Sequence, residues 1–414
     1  MSFPRYEKYK DSGVEWLGEV PAHWDAMPIK RLASLQSGES ITAESIEEEG
    51  DFPVYGGNGL RGYASEFTHE GEYALIGRQG ALCGNVNYAT GQFWASEHAV
   101  VVSPTRPLIM KWIGEVLRVM NLNQYSVSAA QPGLSVDMVS RLAIPVPPLS
   151  EQQCIATFLD HETAKIDALV EEQRHLIELL KEKRQAVISR AVTKGLNSNV
   201  RMKVSGVEWL GKVPAHWQTS RLANLFSDTD ERGNDELPVL TVSIHDGVSD
   251  DELDEADMDR KVTRSDDKTK YKRVTPGDLV YNMMRAWQGG FGSVTVDGMV
   301  SPAYVVARPR TEFPTSFVER VLRTPNAIEE MRGRSRGVTD FRLRLYWEEF
   351  RNIVVPLPPK DEVKAIVAHL DKADRAMSNT ISAAEDCIAI LQERRSVLIS
   401  AAVTGKIDVR SLGT

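Results

Sequence analysis

The sequence predicts an α+β chain: two mixed, mostly β globular domains, separated by two long coiled-coil helices and organised as a pseudo-two-fold internal repeat. Three observations carry this. Ser12 to Trp24 reads SGVEWLGEVPAHW and Ser205 to Trp217 reads SGVEWLGKVPAHW, identical at twelve of thirteen positions 193 residues apart. Two stretches of about forty residues, each free of Gly and Pro, follow at Ser150–Val192 and Glu362–Val403. A stiff proline run precedes each, Pro145-Val146-Pro147-Pro148 and Pro356-Leu357-Pro358-Pro359. Two long units make a pseudo-dimer within one chain rather than a solenoid, and two-fold objects suit two-fold targets.

Residues 1–149 combine an extended arm with a first globule. Trp16, Leu17, Val20 and Trp24 read as apolar anchors of the arm. Ala74-Leu75-Ile76, Ala99–Val102 and Leu142-Ala143-Ile144 read as short buried strands, and Lys111–Asn121 as an amphipathic helix. Gly-rich turns lie between them at Tyr55–Gly59, Gly77–Gly80 and Cys83–Asn85, where glycine permits close backbone approach.

Residues 150–197 read as the first long helix. Ser150 and Gln153 have capping-box spacing. Ile155, Leu159, Glu162, Ile166, Leu169, Gln173, Leu176, Leu180, Lys183 and Val187 step by four and three, a heptad seam with three polar interruptions. Residues 198–359 repeat the arm and carry a second globule. Residues 360–414 hold the second helix and a tail, with Asp361 expected as N-cap. An offset of 211 superimposes the helices, placing Ile366, Leu370, Met377, Ile388, Leu391 and Leu398 on the second seam. The second globule is longer, and an acid-rich then base-rich stretch at 246–273 accounts for much of the excess. It reads as a solvated hairpin or as a basic edge facing phosphates.

Bulk properties exclude several classes. The net charge of −9 does not announce a nucleic-acid binder. No apolar run is long enough for a membrane span. The N-terminal residues lack the apolar stretch of a secretory signal, and three scattered cysteines fit a reduced, cytoplasmic protein. No P-loop, HExxH, [DN]PP[FYW], strand-to-helix GxGxxG or GxSxG motif occurs, and the eight histidines do not cluster. Recognition, without catalysis or a metal, is the expected work.

The globules carry residue types suited to it. The first presents Tyr55, Asn58, Arg61, Arg78 and Gln79 on Gly-flanked turns. The second presents Asn282, Arg285, Trp287 and Gln288, then Arg332, Arg334, Arg336, Thr339, Arg342 and Arg344. Arg reads guanine and Asn or Gln reads adenine through paired hydrogen bonds, and Arg also neutralises phosphate. The same arginines read equally as a solvated or acid-paired face, and Trp287 as core.

Taken with the architecture, the duplicated VEWLGxVPAHW arm, VPxPPLSEQQCIATFLD, RQAVISRAVTKG and NMMRAWQGGFG resemble the specificity subunit of type I restriction–modification systems over essentially the whole chain. The resemblance implies two target-recognition domains, each reading half of a bipartite site in double-stranded DNA. It implies that the long helices pair antiparallel as a spacer and bind two methyltransferase subunits. S-adenosylmethionine, and ATP and Mg on restriction subunits, are then expected on the partners, with this chain non-catalytic and without cofactor. About 43 helical residues span roughly 60–65 Å, which caps the half-site separation at roughly 18–19 base pairs. A coiled-coil scaffold with protein-binding globules, or an adaptor serving modification only, are the alternatives. Trp16 and Trp209 are expected to help close the repeated halves into one frame.

Overall fold

A computed structural model of the 414-residue chain describes residues 3–80, 82–126, 133–234, 236–244, 247–250, 270–337 and 343–412. The chain divides into two compact units that do not follow sequence order. One comprises Met1–Arg174 with Glu385–Thr414, the other His175–Ala384.

The first unit opens on the arm. Strands β1 (Tyr9–Asp11) and β2 (Glu19–Pro21) pair antiparallel around the positive-φ glycines Gly13 and Gly18. β3 (Asp25–Pro28) follows. A six-stranded sheet is built from β4 (Ala33–Ser37), β5 (Phe52–Gly56), β6 (Gly59–Ala64), β7 (His69–Gly77), β8 (Val86–Ala95) and β9 (Ala99–Pro104), in the order β4-β9-β7-β8-β5-β6. β7 and β9 are central in it and their apolar runs are buried, as Ala74–Ile76 and Ala99–Val102 predict. Helix α1 (Met110–Val119) buries Trp112, Ile113, Val116 and Leu117 in the core. Helix α2 (Val136–Arg141) leads to β10 (Ala143–Val146), which pairs with β3 and returns the chain beneath the arm.

Helix α3 runs from Leu149 to Lys194, so its first part belongs to the first unit and its last part to the second. In the second unit, arm strands β11 (Met202–Val204), β12 (Lys212–Pro214) and β13 (Gln218–Arg221) repeat the first arm. After helix α4 (Leu222–Leu225) come β14 (Phe226–Thr229), the short pair β15 (Val242–Ser243) and β16 (Gly247–Val248), β17 (Lys272–Val274), β18 (Leu279–Asn282), β19 (Phe291–Ser293), β20 (Gly298–Val300) and β21 (Tyr304–Pro309). The main sheet has the order β14-β21-β18-β19. Helices α5 (Thr315–Leu322), α6 (Pro325–Arg334) and α7 (Trp347–Phe350) precede β22 (Val354–Leu357), which pairs with β13 as β10 pairs with β3. Helix α8 (Lys360–Val403) is the second long helix. Most of the acid- and base-rich stretch, 251–269, lies outside the described residues. Its described end is acid-paired, Lys272 with Asp230 at 3.4 Å and Arg273 with Glu231 at 3.2 Å.

Within each unit α3 and α8 lie antiparallel. In the first, Glu151 stands near Arg410 and Asp167 is gripped by Arg395 at 2.9 Å. In the second, Arg184 donates to Asp374 at 3.1 Å, and Glu362 stands beside Gly195. The seam differs from the heptad expectation. Ile155, Leu159, Ile166, Ile366, Leu370 and Leu398 are buried, and Leu180, Val187, Met377, Ile388 and Leu391 are half-buried. Leu169 and Leu176, however, are 44% and 38% exposed, and Val170 and Ile177 are buried instead. An α-helix of 3.6 residues per turn drifts about 20° per heptad, so a straight contact row moves on by one residue. The row that results is 11 residues long in period: Ile155, Ile166, Ile177 and Ile188 on α3, and Ile366, Met377, Ile388 and Ile399 on α8.

The helix starts also differ from expectation. α3 begins at Leu149, and Gln153 donates to Thr157 Oγ1 at 3.4 Å instead of folding back on Ser150. Gln152 does the fastening. Its Nε2 donates to Pro147 O at 3.0 Å, and its Oε1 accepts from Ile109 N at 3.2 Å. Likewise Asp361 lies inside the first turn of α8, which begins at Lys360.

Each arm clamps two helix ends. Trp24 is fully buried, and its Nε1 donates to Glu151 Oε2 at 2.9 Å while His23 Nε2 lies 2.7 Å from Glu151 Oε1. Gly405, just past α8, has φ +75°, and a Cβ there would lie 2.4 Å from Pro21 Cδ. The second arm repeats this: Trp217 Nε1 donates to Glu362 Oε2 at 2.9 Å and His216 Nε2 lies 2.7 Å from the same oxygen. So the work expected of Trp16 and Trp209 falls to Trp24 and Trp217. Trp16 instead donates to Ala143 O at 3.1 Å, and the buried Trp209 indole N–H has no partner among the described residues. In the first unit Tyr6 adds a hydrogen bond to Glu151 at 3.2 Å, and burial and that carboxylate push its phenol far above its ordinary value. Tail and arm also join there, with Asp408 N donating to Pro4 O at 2.8 Å and Tyr9 to Gly405 O at 3.1 Å. In the second unit residues 195–201 make the same passage as continuous chain.

Candidate nucleic-acid interface

In the first unit three turns converge on one cleft. The β5–β6 hairpin supplies Gly57 and Asn58 from its turn and Arg61 from β6; the loop after β7 supplies Gln79, Gly80 and Leu82; and the β8–β9 turn supplies His98. The cleft has a volume of about 480 Å³. Glycine is required where the turns touch: a Cβ on Gly77 would lie 2.2 Å from Gly57 O, and one on Gly57 would lie 3.2 Å from His98 O. Backbone bonds then fix the loop, from Arg78 N to His98 O at 2.8 Å, Gly84 N to Gly77 O at 2.8 Å and Leu134 N to Arg78 O at 2.9 Å.

Of the five residues expected here, three line the cleft: Asn58, Arg61 and Gln79, all exposed. Asn58 is oriented by Asn85, whose Nδ2 donates to its Oδ1 at 3.3 Å. The Arg61 stem lies over Gly56, where a Cβ would come within 2.4 Å of Arg61 Cδ. Arg78 and Tyr55 are turned to other work. Arg78 donates to Ser37 Oγ at 3.0 Å, and the Tyr55 ring packs edge-on against Phe93 at 5.7 Å. Leu82 and His98 were not legible from the sequence: a lone exposed leucine has no periodicity, and His98 reaches the cleft only through the β8–β9 turn. His98 Nε2 lies 3.3 Å from Glu97 Oε1.

The second unit gathers different chemistry around the β18–β19 turn. Asn282 shapes the turn, its Oδ1 accepting from Met284 N at 2.9 Å while its own N donates to Gly290 O at 2.8 Å. Its side chain also bonds Tyr304, a phenol that burial pushes up. Trp287 Nε1 donates to Met284 O at 3.1 Å, and the Arg332 guanidinium sits 5.6 Å above the Trp287 ring. Trp287 is half-buried and packs against the core of the second unit, and Arg285 and Gln288 belong to the same turn. Arg336 and Arg344 pair through their backbones beside it, and Leu345 N donates to Met283 O at 2.8 Å. Thr339 and Arg342 lie outside the described residues. Arg334 is paired with Glu330 at 2.6 Å and Arg336 with Glu349, so these two are the acid-paired face the sequence left open.

Among the described residues no group of His, Cys, Asp and Glu could hold a metal ion, and no helix is long and apolar enough to cross a membrane. What the turns offer is amides, guanidiniums and aromatic faces on rigid backbone, which is the chemistry of reading base edges and phosphates.

Comparison with known proteins agrees. Residues 21–179 match the family described as the type I restriction modification DNA specificity domain. The chain is 44% identical over 178 residues to the type I restriction enzyme EcoprrI specificity subunit of Escherichia coli, covering 42% of this chain and 44% of that protein. It is 30% identical over 157 residues to a putative type I specificity subunit of Haemophilus influenzae, covering 37% and 38% of the two chains. The chain therefore spans less than half the length of each of these relatives. Its fold resembles a solved structure from work on assembly and conformational transition of the type I R-M system, with TM-score 0.66, 14% identity and coverage of 93% and 98%. It also resembles the HsdS subunit of Thermoanaerobacter tengcongensis, with TM-score 0.51, 14% identity and coverage of 94% and 98%.

Proposed function

We propose, from the premise that residues 21–179 belong to the type I restriction modification DNA specificity domain family, that this chain is the DNA sequence-recognition subunit of a type I restriction–modification assembly. Each globule reads one half of a bipartite target, and the α3–α8 pair sets the half-site spacing and docks two methyltransferase subunits. Methyl transfer from S-adenosylmethionine and ATP- and Mg-dependent cleavage belong to the partners, and this chain is non-catalytic.

One observation carries the reading. The frame is duplicated down to its hydrogen bonds, with His23 and Trp24 on Glu151 repeated as His216 and Trp217 on Glu362. The surfaces it holds differ: an amide–arginine cleft in one unit, a tryptophan–arginine turn in the other. A duplicated frame with divergent tips fits two different half-sites read by one mechanism. The acidic total charge fits a complex in which partner subunits supply much of the phosphate contact.

The test is methylome sequencing of a host expressing the chain with its modification subunits. Exchanging residues 31–144 for those of a relative should change one half of the methylated motif and leave the other half and the spacing intact. A motif that changes in both halves, or no methylation that depends on this chain, overturns the proposal.

A further inference from the structure

Leu82 is the one aliphatic residue among the side chains that line the cleft of the first unit. Asn58, Arg61, Gln79 and His98 bring donors and acceptors, and Leu82 stands among them 52% exposed. Its position is set by its neighbours rather than by its own burial. Cys83 beside it is buried and directs its Sγ to Arg78 O at 3.2 Å, and Leu82 O accepts from Asn85 N at 3.0 Å. The backbone thus holds an apolar side chain at the cleft wall, beside carboxamides.

In the major groove an A·T pair presents, side by side, the adenine N7 and N6 that a carboxamide reads and the C5-methyl group of thymine; C·G and G·C pairs present no methyl group. A leucine beside a carboxamide matches that row. We propose that Leu82 is a specificity-determining residue, docking on the C5-methyl of a thymine in the half-site read by the first unit. This rests on reading the chain as a DNA sequence-recognition subunit. Cytosine at that position puts a hydrogen where the methyl group docks, and 5-methylcytosine restores it.

The experiment uses the full chain assembled with its modification subunits and duplexes carrying the methylated motif. Each thymine of the first unit's half-site is replaced in turn by uracil, which removes the methyl group and nothing else, and binding is read by fluorescence anisotropy. One position should weaken binding about fourfold, as expected for one buried methyl-sized group, and the others should stay within twofold of the parent. Leu82→Ala should lose a similar factor on the parent duplex and show no further loss with uracil at that position. Uracil tolerated at every position, a uracil penalty that persists in Leu82→Ala, or a half-site of G·C pairs alone overturns the inference while leaving sequence-specific binding in place. Absence of any sequence-dependent binding by the assembly overturns the DNA-reading function itself, and the Leu82 role with it.

Discussion

Asp371 of α8 accepts a hydrogen bond from Arg320 of α5 at 2.5 Å, and its counterpart 211 residues earlier, Asp160 of α3, pairs with Lys111 of α1 at 3.0 Å. The duplicated helices keep the aspartate, while the divergent globules reach it from different positions of their own helices. At both ends the Arg320–Asp371 pair is less exposed than the Lys111–Asp160 pair, 18% and 39% against 28% and 61%. Asp371→Asn should therefore cost about 1–2 kcal/mol and Asp160→Asn under about 1 kcal/mol. Urea denaturation of the two variants checks the order.

Trp217→Phe removes one N–H from Glu362 and keeps most of the ring. It should destabilise the second unit by about 1–2 kcal/mol, the cost of an unmade bond to a charged group. Trp217→Ala should cost about 3–5 kcal/mol, because the ring is fully buried. Neither should alter which bases are methylated. A shifted motif would place the arm at the DNA.

Gly405→Ala should be worse than Gly195→Ala. Both glycines have φ +75°, but the new Cβ meets Pro21 Cδ at 2.4 Å in the first case and Glu362 Oε1 at 3.0 Å in the second. The carboxylate, at the far end of a flexible side chain, needs to give only a few tenths of an ångström, whereas the proline ring would have to move much farther. Thermal melting should show a loss of about 1 kcal/mol at Gly195 and a larger one at Gly405.

Arg61→Ala and Arg334→Ala separate an open cation from a paired one. Arg61 faces the cleft, and its loss should weaken binding of the assembled complex to DNA; if it contacts phosphate, the slope of log K against log salt falls by about 1. Arg334 is occupied by Glu330, so its loss should leave both binding and slope nearly unchanged. Equal effects would show the ion pair opens on DNA.

The tail responds to acid. Arg410 donates to both carboxylate oxygens of Asp408, at 2.9 and 2.6 Å, and that bond holds Asp408 below the usual carboxylate range. Its stabilisation is complete above the unfolded value of about 4 and is lost as pH falls through the lowered folded value. The stability gap between wild type and Asp408→Asn should stay constant above about pH 5 and close in stronger acid, read by denaturation at several pH values.

The sequence makes the repeat, the long helices and the strands at Ala74–Ile76 and Ala99–Val102 legible, because duplication and apolar runs are local signals. The helix contact row is half legible. Ile155 and Ile166 belong to a heptad and to an 11-residue row alike, and only packing chooses Ile177 over Leu176. Asn58, Arg61 and Gln79 are legible from Gly-flanked position and residue type. Leu82 and His98 are not, since they join the cleft through tertiary folding of separate turns. Glu151 and Glu362 are hidden for another reason: an acid in a helix's first turn has an ordinary role there, and nothing local says that an indole from the arm reaches it.

The meeting of Asp408 with Pro4, beside a second unit that makes the same passage as continuous chain through residues 195–201, makes the order of the sequence a convention. Within each unit an arm, the start of one long helix and the end of the other meet at one place. A gene opened instead within residues 196–200, with its old ends joined by a short linker, would encode the same contacts in another order. A chain carrying one arm, one globule and one long helix would still hold both sides of a clamp, the arm's indole and the glutamate in the helix's first turn.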